Sequence, residues 1–98
     1  MKPIILKLAR EDLKEIHEYL SKFGMNPQKK LRESFERFCT QVGSMPYIYA
    51  QYELNPEYRK AVIEYDYLVF YQVDVSTGQV KVFRVLHGKR DTLPLLSR

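Results

Sequence analysis

Two runs of apolar residues at helical spacing, joined by about three residues, leave this chain few ways to fold. Ala9, Leu13, Ile16, Leu20 and Phe23 follow one another at steps of 4, 3, 4 and 3, and Leu31, Phe35, Phe38, Val42 and Met45 repeat the pattern. Such steps stack side chains on one face of a helix. The link from Gly24 to Asn26 is too short for a crossover, so the helices must return antiparallel, as a hairpin.

The ends of both helices carry their own signals. Glu11 and Asp12 stand in the first turn of a helix counted from Ala9, and Lys22 in its last, charges that oppose the helix dipole. Gly24 supplies a left-handed stop. Asn26-Pro27 then reads as an N-cap followed by a proline at the first helical position, and Gly43 and Pro46 close the second helix.

Outside this hairpin the period changes. Pro3 to Leu8 is a short apolar run suited to a first strand at a sheet edge. Residues 46–57, PYIYAQYELNPE, show no period and predict an ordered surface loop. Arg59 to Ile63, Tyr67 to Val73 and Val80 to Leu86 are rich in Val, Ile, Phe and Tyr, as strands require. The last two flank DVSTGQ, whose Gly78 suits a hairpin loop, whereas the turn Glu64-Tyr65-Asp66 lacks a glycine. Val69, Tyr71 and Val73 alternate with Leu68 and Phe70, so the middle run presents apolar groups on both faces and belongs at the centre of the sheet.

The predicted fold is therefore α+β: an N-terminal strand, then an antiparallel helical hairpin on one face of a small antiparallel sheet whose last three strands form a meander. A chain of 98 residues supports one core and one domain, spanning 1–98. Cys39 is the only cysteine, which excludes an internal disulfide and a cysteine-based metal site and suits a reducing cytoplasm. The apolar start is interrupted by Lys7 and is too short for a signal core or a bilayer span, so no membrane role is implied. A net charge of +4 permits an acidic partner or nucleic acid without demanding either, so clustering matters more than the total.

Three stretches carry a resemblance. AREDLKEIHEYL is similar to A-x-x-D-L-x-x-I-x-x-Y, YRKAVIEYDYLVFYQVD to Y-R…Y-x-x-F-Y-x-V-D, and VFRVLHGKRD to R-V-L-H-G-x-R-D, motifs of the RelE/ParE superfamily of type II toxin–antitoxin toxins. The resemblance covers most of the chain and implies a toxin held by a cognate antitoxin protein, with no metal or organic cofactor. RelE-like members cut messenger RNA on the ribosome; ParE-like members bind DNA gyrase and poison it without hydrolysis. The end RVLHGKRD looks more like the ParE branch, and residues 46–58 lack the lysines that RelE-like ribonucleases place before the strand that here bears Arg59. A ParE-like gyrase poison is the favoured expectation, a RelE-like endoribonuclease the alternative, and an inert co-repressor that only binds its antitoxin the third.

The resemblance sets Arg59, Arg84, His87, Lys89 and Arg90 at the family's basic positions, with Tyr71 beside them as a target- or antitoxin-binding residue. Strict alternation puts Arg84 on the face of Val82 and Leu86, with Phe83, Val85 and His87 on the other. If helices cover one face, the other is a shallow surface where these cations gather. For ribonuclease chemistry His87 would be the acid or base, since an imidazole titrates near neutrality, and Arg59, Arg84 and Arg90 would hold phosphate. Tyr65 or Tyr71 would orient or stack a base. Against this stand plainer readings. His87 packs at a strand end, and Arg84 pairs with Asp91 or Asp66, fixing the last strand. His17 borders the first helix, and Lys29, Lys30, Arg32 and Arg37 form a solvated face that would also attract an acidic antitoxin. Cys39 is a small buried or border residue. Tyr47, Tyr49, Tyr52 and Tyr58 either stack bases or cover the sheet under their loop.

Overall fold

The two helical periods become α1 (Lys7–Leu20) and α2 (Met25–Ser44) in the computed structural model, which describes residues 1–88. A short 3-10 turn, Ser21–Phe23, prolongs α1, and Gly24 then takes φ 95°, a conformation that only glycine adopts without strain. The reversal is where the sequence predicts it, but the details differ. Because α1 starts at Lys7, no acidic residue lies in its first turn, and Glu11 and Asp12 do not oppose the dipole. Gly24, not Asn26, occupies the cap position of α2, and no side chain caps it. Pro27 still lies in the first turn, where its missing N–H leaves no intrahelical bond unmade. Met45 falls just beyond α2 and is exposed, so the apolar stripe ends at Val42.

Four strands follow from the remaining apolar runs: β1 (Lys2–Ile5), β2 (Arg59–Ile63), β3 (Tyr67–Asp74) and β4 (Gln79–His87), in spatial order β1-β4-β3-β2. The meander of β2, β3 and β4 is antiparallel as predicted, with β3 flanked on both sides. The first strand does lie at an edge, but it runs parallel to β4, so the sheet is mixed. At the second hairpin Gly78 takes φ 67°, and Asp74 accepts bonds from Ser76 Oγ at 2.6 Å and Lys81 Nζ at 2.9 Å. These hold the Asp74 carboxyl well below the usual carboxylate range, the Ser76 hydroxyl contributing most.

The turn without glycine forms all the same. Tyr65 and Asp66 both take φ 60°, a region that costs a non-glycine residue about 1–2 kcal/mol. Hydrogen bonds on either side fix it: the Glu64 N–H donates to Ser34 Oγ at 3.2 Å, and the Gly88 N–H donates to the Asp66 carbonyl at 3.0 Å.

One core lies between the helices and the sheet, built from Ala9, Ile16, Leu20, Leu31, Phe38 and Val42 against Ala61, Ile63, Tyr67, Val69, Tyr71, Val80, Val82 and Val85. The opposite face holds a smaller cluster of Tyr52, Phe70 and Leu86, flanked by Tyr58 and Leu68. It is the stretch 46–58 that closes this face, with Tyr52 N–H on Tyr58 O at 2.8 Å and Lys60 N–H on Ala50 O at 3.2 Å. The predicted shallow, uncovered face is therefore largely covered. Its tyrosines serve packing: Tyr52 stacks edge-on against Phe70 at 5.0 Å and Tyr58 against Phe83 at 5.3 Å.

A bulge breaks the alternation of β4. Phe70 lies opposite Arg84 and Tyr71 opposite Val82, so Phe83 is an extra residue. In consequence Val82 and Val85 both face the helices while Leu86 faces away, and the predicted shared face of Val82, Arg84 and Leu86 does not exist.

Candidate functional site

Asp12 lies three residues after Ala9 and four before Ile16, inside the apolar stripe of α1. A carboxylate in such a stripe needs a partner, and it has two. Arg84 donates from Nε to Oδ2 at 2.8 Å and from its terminal nitrogen to Oδ1 at 2.9 Å, a two-pronged ion pair, while the Val85 backbone N–H donates to Oδ2 at 3.0 Å. The side chains of Arg84 and Asp12 are 19% and 12% exposed, enough burial to make this an anchored pair. The plainer sequence reading offers Asp66 or Asp91 as a partner for Arg84; among the described residues it pairs with Asp12. Asp91 lies outside the described residues.

Arg59 takes another direction. It stands opposite Tyr71 on the helix-facing side, its guanidinium donates to the Tyr49 carbonyl at 2.8 Å, and its carbon lies 4.9 Å from the centre of the Tyr47 ring. It thus clamps the loop to β2, and with Tyr47, Gln51, Glu57 and Gln72 it borders a cleft of about 480 Å³.

Tyr71 itself is fully buried, packed edge-on against Phe38 at 5.4 Å, and its hydroxyl donates to the Pro46 carbonyl at 2.9 Å. Burial pushes the hydroxyl above its ordinary pKa, while a backbone hydrogen bond from Tyr49 and the charge of Arg59 pull the other way. It is a core residue, so the role of a target-contacting or base-stacking tyrosine does not fit it.

His87 lies opposite Tyr67 and meets its ring edge-on at 5.3 Å. Together with Tyr19, Leu20, Phe23, Pro27, Tyr65 and Tyr67 it lines an apolar cleft of about 510 Å³ at the tip of the helical hairpin. Phe23, in its lining, is 60% exposed, and Met25, two residues further along the chain, is 84% exposed, so large apolar side chains face solvent at this end of the hairpin. Lys22 sits 5.6 Å from the Tyr19 ring at its rim.

Arg59, Arg84 and His87 are thus not gathered on one surface. The first turns to the loop beside β2, the second to α1, and the third to the hairpin tip. Lys89 and Arg90 lie outside the described residues. Among the described residues no group of three or more His, Cys, Asp or Glu could hold a metal ion, and no helix is long and apolar enough to cross a membrane. Cys39 is half-buried, and burial first, then Glu36, pushes its thiol up to about 11.

Residues 4–92 match the family model described as ParE toxin of type II toxin-antitoxin system, parDE. Among solved structures the chain is similar to one of the chromosomal ParDE toxin–antitoxin system from P. aeruginosa, with a TM-score of 0.62 and 14% identity over 89% of this chain and 95% of that one. That likeness concerns the fold. No curated protein matches.

Proposed function

The chain belongs to the ParE toxin family of type II toxin–antitoxin systems, and from that premise we propose that it arrests growth by binding DNA gyrase and trapping it, without hydrolysing anything itself. A cognate antitoxin is the partner that membership implies. One observation favours gyrase over messenger RNA as the target. Cleavage by a 2′-hydroxyl needs an acid, a base and cations around one phosphate. Here Arg84 is committed to Asp12, Arg59 to Tyr49, and His87 to an aromatic cleft.

The antitoxin would cover the apolar cleft at the hairpin tip with an apolar, acidic segment, complementing Phe23, Tyr19 and the nearby Lys22. Strand addition at the sheet edges would compete with bonds already made: the Lys60 amide of β2 donates to Ala50 and the Glu64 amide, just past β2, donates to Ser34, while on β1 Pro3 has no N–H to give.

The test mixes purified protein with gyrase and plasmid, and in parallel with translating ribosomes. Accumulated double-strand breaks in the plasmid, unaffected by His87→Ala, are the expected result. Cut messages that disappear with His87→Ala would establish the ribonuclease instead. Absence of both activities, with antitoxin binding intact, would leave the inert co-repressor.

A further inference from the structure

We infer that Tyr65, held on the strained turn between β2 and β3, is a contact residue for the cognate antitoxin, its ring packing against an apolar side chain that the antitoxin places in the cleft at the hairpin tip. The inference rests on the reading that the antitoxin occupies that cleft.

The turn is built in an expensive way. The Tyr67 N–H donates to the Glu64 carbonyl, and the two residues between them, Tyr65 and Asp66, both take φ 60°. Two positive φ angles at the centre of a tight turn are the type I′ pattern, which hairpins fill with Asn-Gly because those residues enter the left-handed region with little strain. Aspartate is tolerated there as well, whereas a bulky tyrosine is an outlier. The cost therefore falls chiefly on Tyr65. The bonds that fix the turn do not use its side chain, since they run from the Glu64 N–H to Ser34 Oγ and from the Gly88 N–H to the Asp66 carbonyl.

Internal packing does not explain the choice of residue. Tyr65 is 39% exposed and belongs to neither core cluster, and among the described residues its ring stacks on no other and its hydroxyl makes no hydrogen bond. Strained residues of this kind gather where a surface has to meet a ligand. Tyr65 stands where two clefts meet. It lines the apolar one of about 510 Å³ with Tyr19, Phe23 and His87, and a polar one of about 450 Å³ with Ser34, Arg37 and Gln41.

Family membership supplies the partner, and charge suits it. Lys22 lies at the rim of the apolar cleft, Arg37 lines the polar one, and the chain carries a net charge of +4. The carboxylates of Glu64 and Asp66 flank Tyr65 and repel an acidic group from the turn itself, so what Tyr65 offers an acidic partner is its ring.

Tyr65→Asn removes the ring and substitutes a residue that tolerates the left-handed region, while Asp66→Gly relieves the neighbouring strain and leaves the ring. Phe23→Asp, in the same cleft, tests the cleft reading by itself. The full chain is titrated by calorimetry with its antitoxin, purified as the protein that suppresses its growth arrest, and thermal midpoints are recorded. Tyr65→Asn should raise the dissociation constant about tenfold at a midpoint equal to or above that of wild type. Asp66→Gly should raise the midpoint without weakening binding. Weaker binding by a variant that is no less stable is a combination that a purely structural tyrosine does not produce.

Affinity unchanged by Tyr65→Asn overturns the inference. If Phe23→Asp still weakens binding, the cleft remains the antitoxin's seat and only the role of Tyr65 is lost; unchanged affinity in both variants removes the seat as well. Loss of gyrase inhibition or of self-association in Tyr65→Asn, with antitoxin affinity intact, would give the residue to gyrase or to a second copy of the chain instead. Should Tyr65→Asn not fold, nitration of wild-type tyrosines followed by peptide mass spectrometry decides: Tyr65 modified in the free chain and protected in the complex supports the contact, and equal modification in both is incompatible with it.

Discussion

Replacing Tyr71 with phenylalanine removes one oxygen from a fully buried side chain and leaves its ring contacts with Phe38 and Tyr49 in place. The loss is the bond from the hydroxyl to the Pro46 carbonyl, which ties the start of the 46–58 stretch to the centre of the sheet. A typical buried hydrogen bond contributes about 1 kcal/mol net, and an acceptor left without its donor adds up to about as much again. Tyr71→Phe should thus cost about 1–2 kcal/mol, which for a chain of this size lowers the thermal midpoint by about 5–12 °C. The pH dependence comes from the raised pKa of this hydroxyl. The folded protein holds the Tyr71 proton more tightly than the unfolded chain, so its contribution is complete below the ordinary tyrosine value of 10.0 and is lost as pH rises through the folded value. Urea titrations of both proteins at neutral pH and in steps above pH 10 should show a gap that narrows as pH climbs. Growth arrest by the variant should equal that of wild type below its midpoint, since Tyr71 is a core residue. A variant as stable as wild type at neutral pH, or a gap that stays constant in alkali, would refute this account.

Three further outcomes are expected. A Cβ at Gly88 would lie 3.0 Å from the Asp66 carbonyl oxygen, so Gly88→Ala must push the strand end away from the turn, at about 1–3 kcal/mol by urea titration. The Cys39 thiol, pushed up to about 11, should react slowly with an aromatic disulfide reagent at neutral pH and speed up only in strong alkali; because the unfolded thiol ionises near 9.0, rising pH across this range also favours unfolding. Phe23→Asp at the exposed hairpin tip should change stability by no more than about 0.5 kcal/mol while weakening antitoxin binding about tenfold, measured by calorimetry of the two purified proteins.

The helical hairpin and the meander could be read from the sequence because each rests on a repeat of many residues, which a single exception does not disturb. Ala9 to Leu20 and Leu31 to Val42 bury the stripe that their spacing predicts. The site was less legible, and the reasons are local. One extra residue, Phe83, reverses the faces of everything after it, and nothing in the run Val80 to Leu86 distinguishes a bulged strand from a regular one. The covered face was also hidden, because residues 46–58 have no period, and their tyrosines look alike as packing groups and as a stacking platform until Tyr52 is seen against Phe70. Asp12 did leave a signal. A carboxylate at the buried spacing of an amphipathic helix implies a cationic or amide partner from another element, although the partner's identity needs the fold.

Where the fold closes its surfaces bears on where a toxin of this architecture acts. The helices cover one face of the sheet, and the stretch 46–58 covers much of the other. The edge of β2 is occupied at Lys60, the turn after it bonds to Ser34 through Glu64, and the edge of β1 is blunted at Pro3. Among the described residues the apolar cleft at the hairpin tip and the end of β4 meet at His87, which lines the first and terminates the second. An antitoxin segment seated in that cleft would touch the residue from which the basic end departs, so neutralisation would require no distant conformational change: it would cover or redirect the end at its root. On this logic His87→Ala should affect antitoxin affinity more than gyrase inhibition, the reverse of the effect a catalytic histidine would give, and parallel measurement of the two in the same variant separates the alternatives.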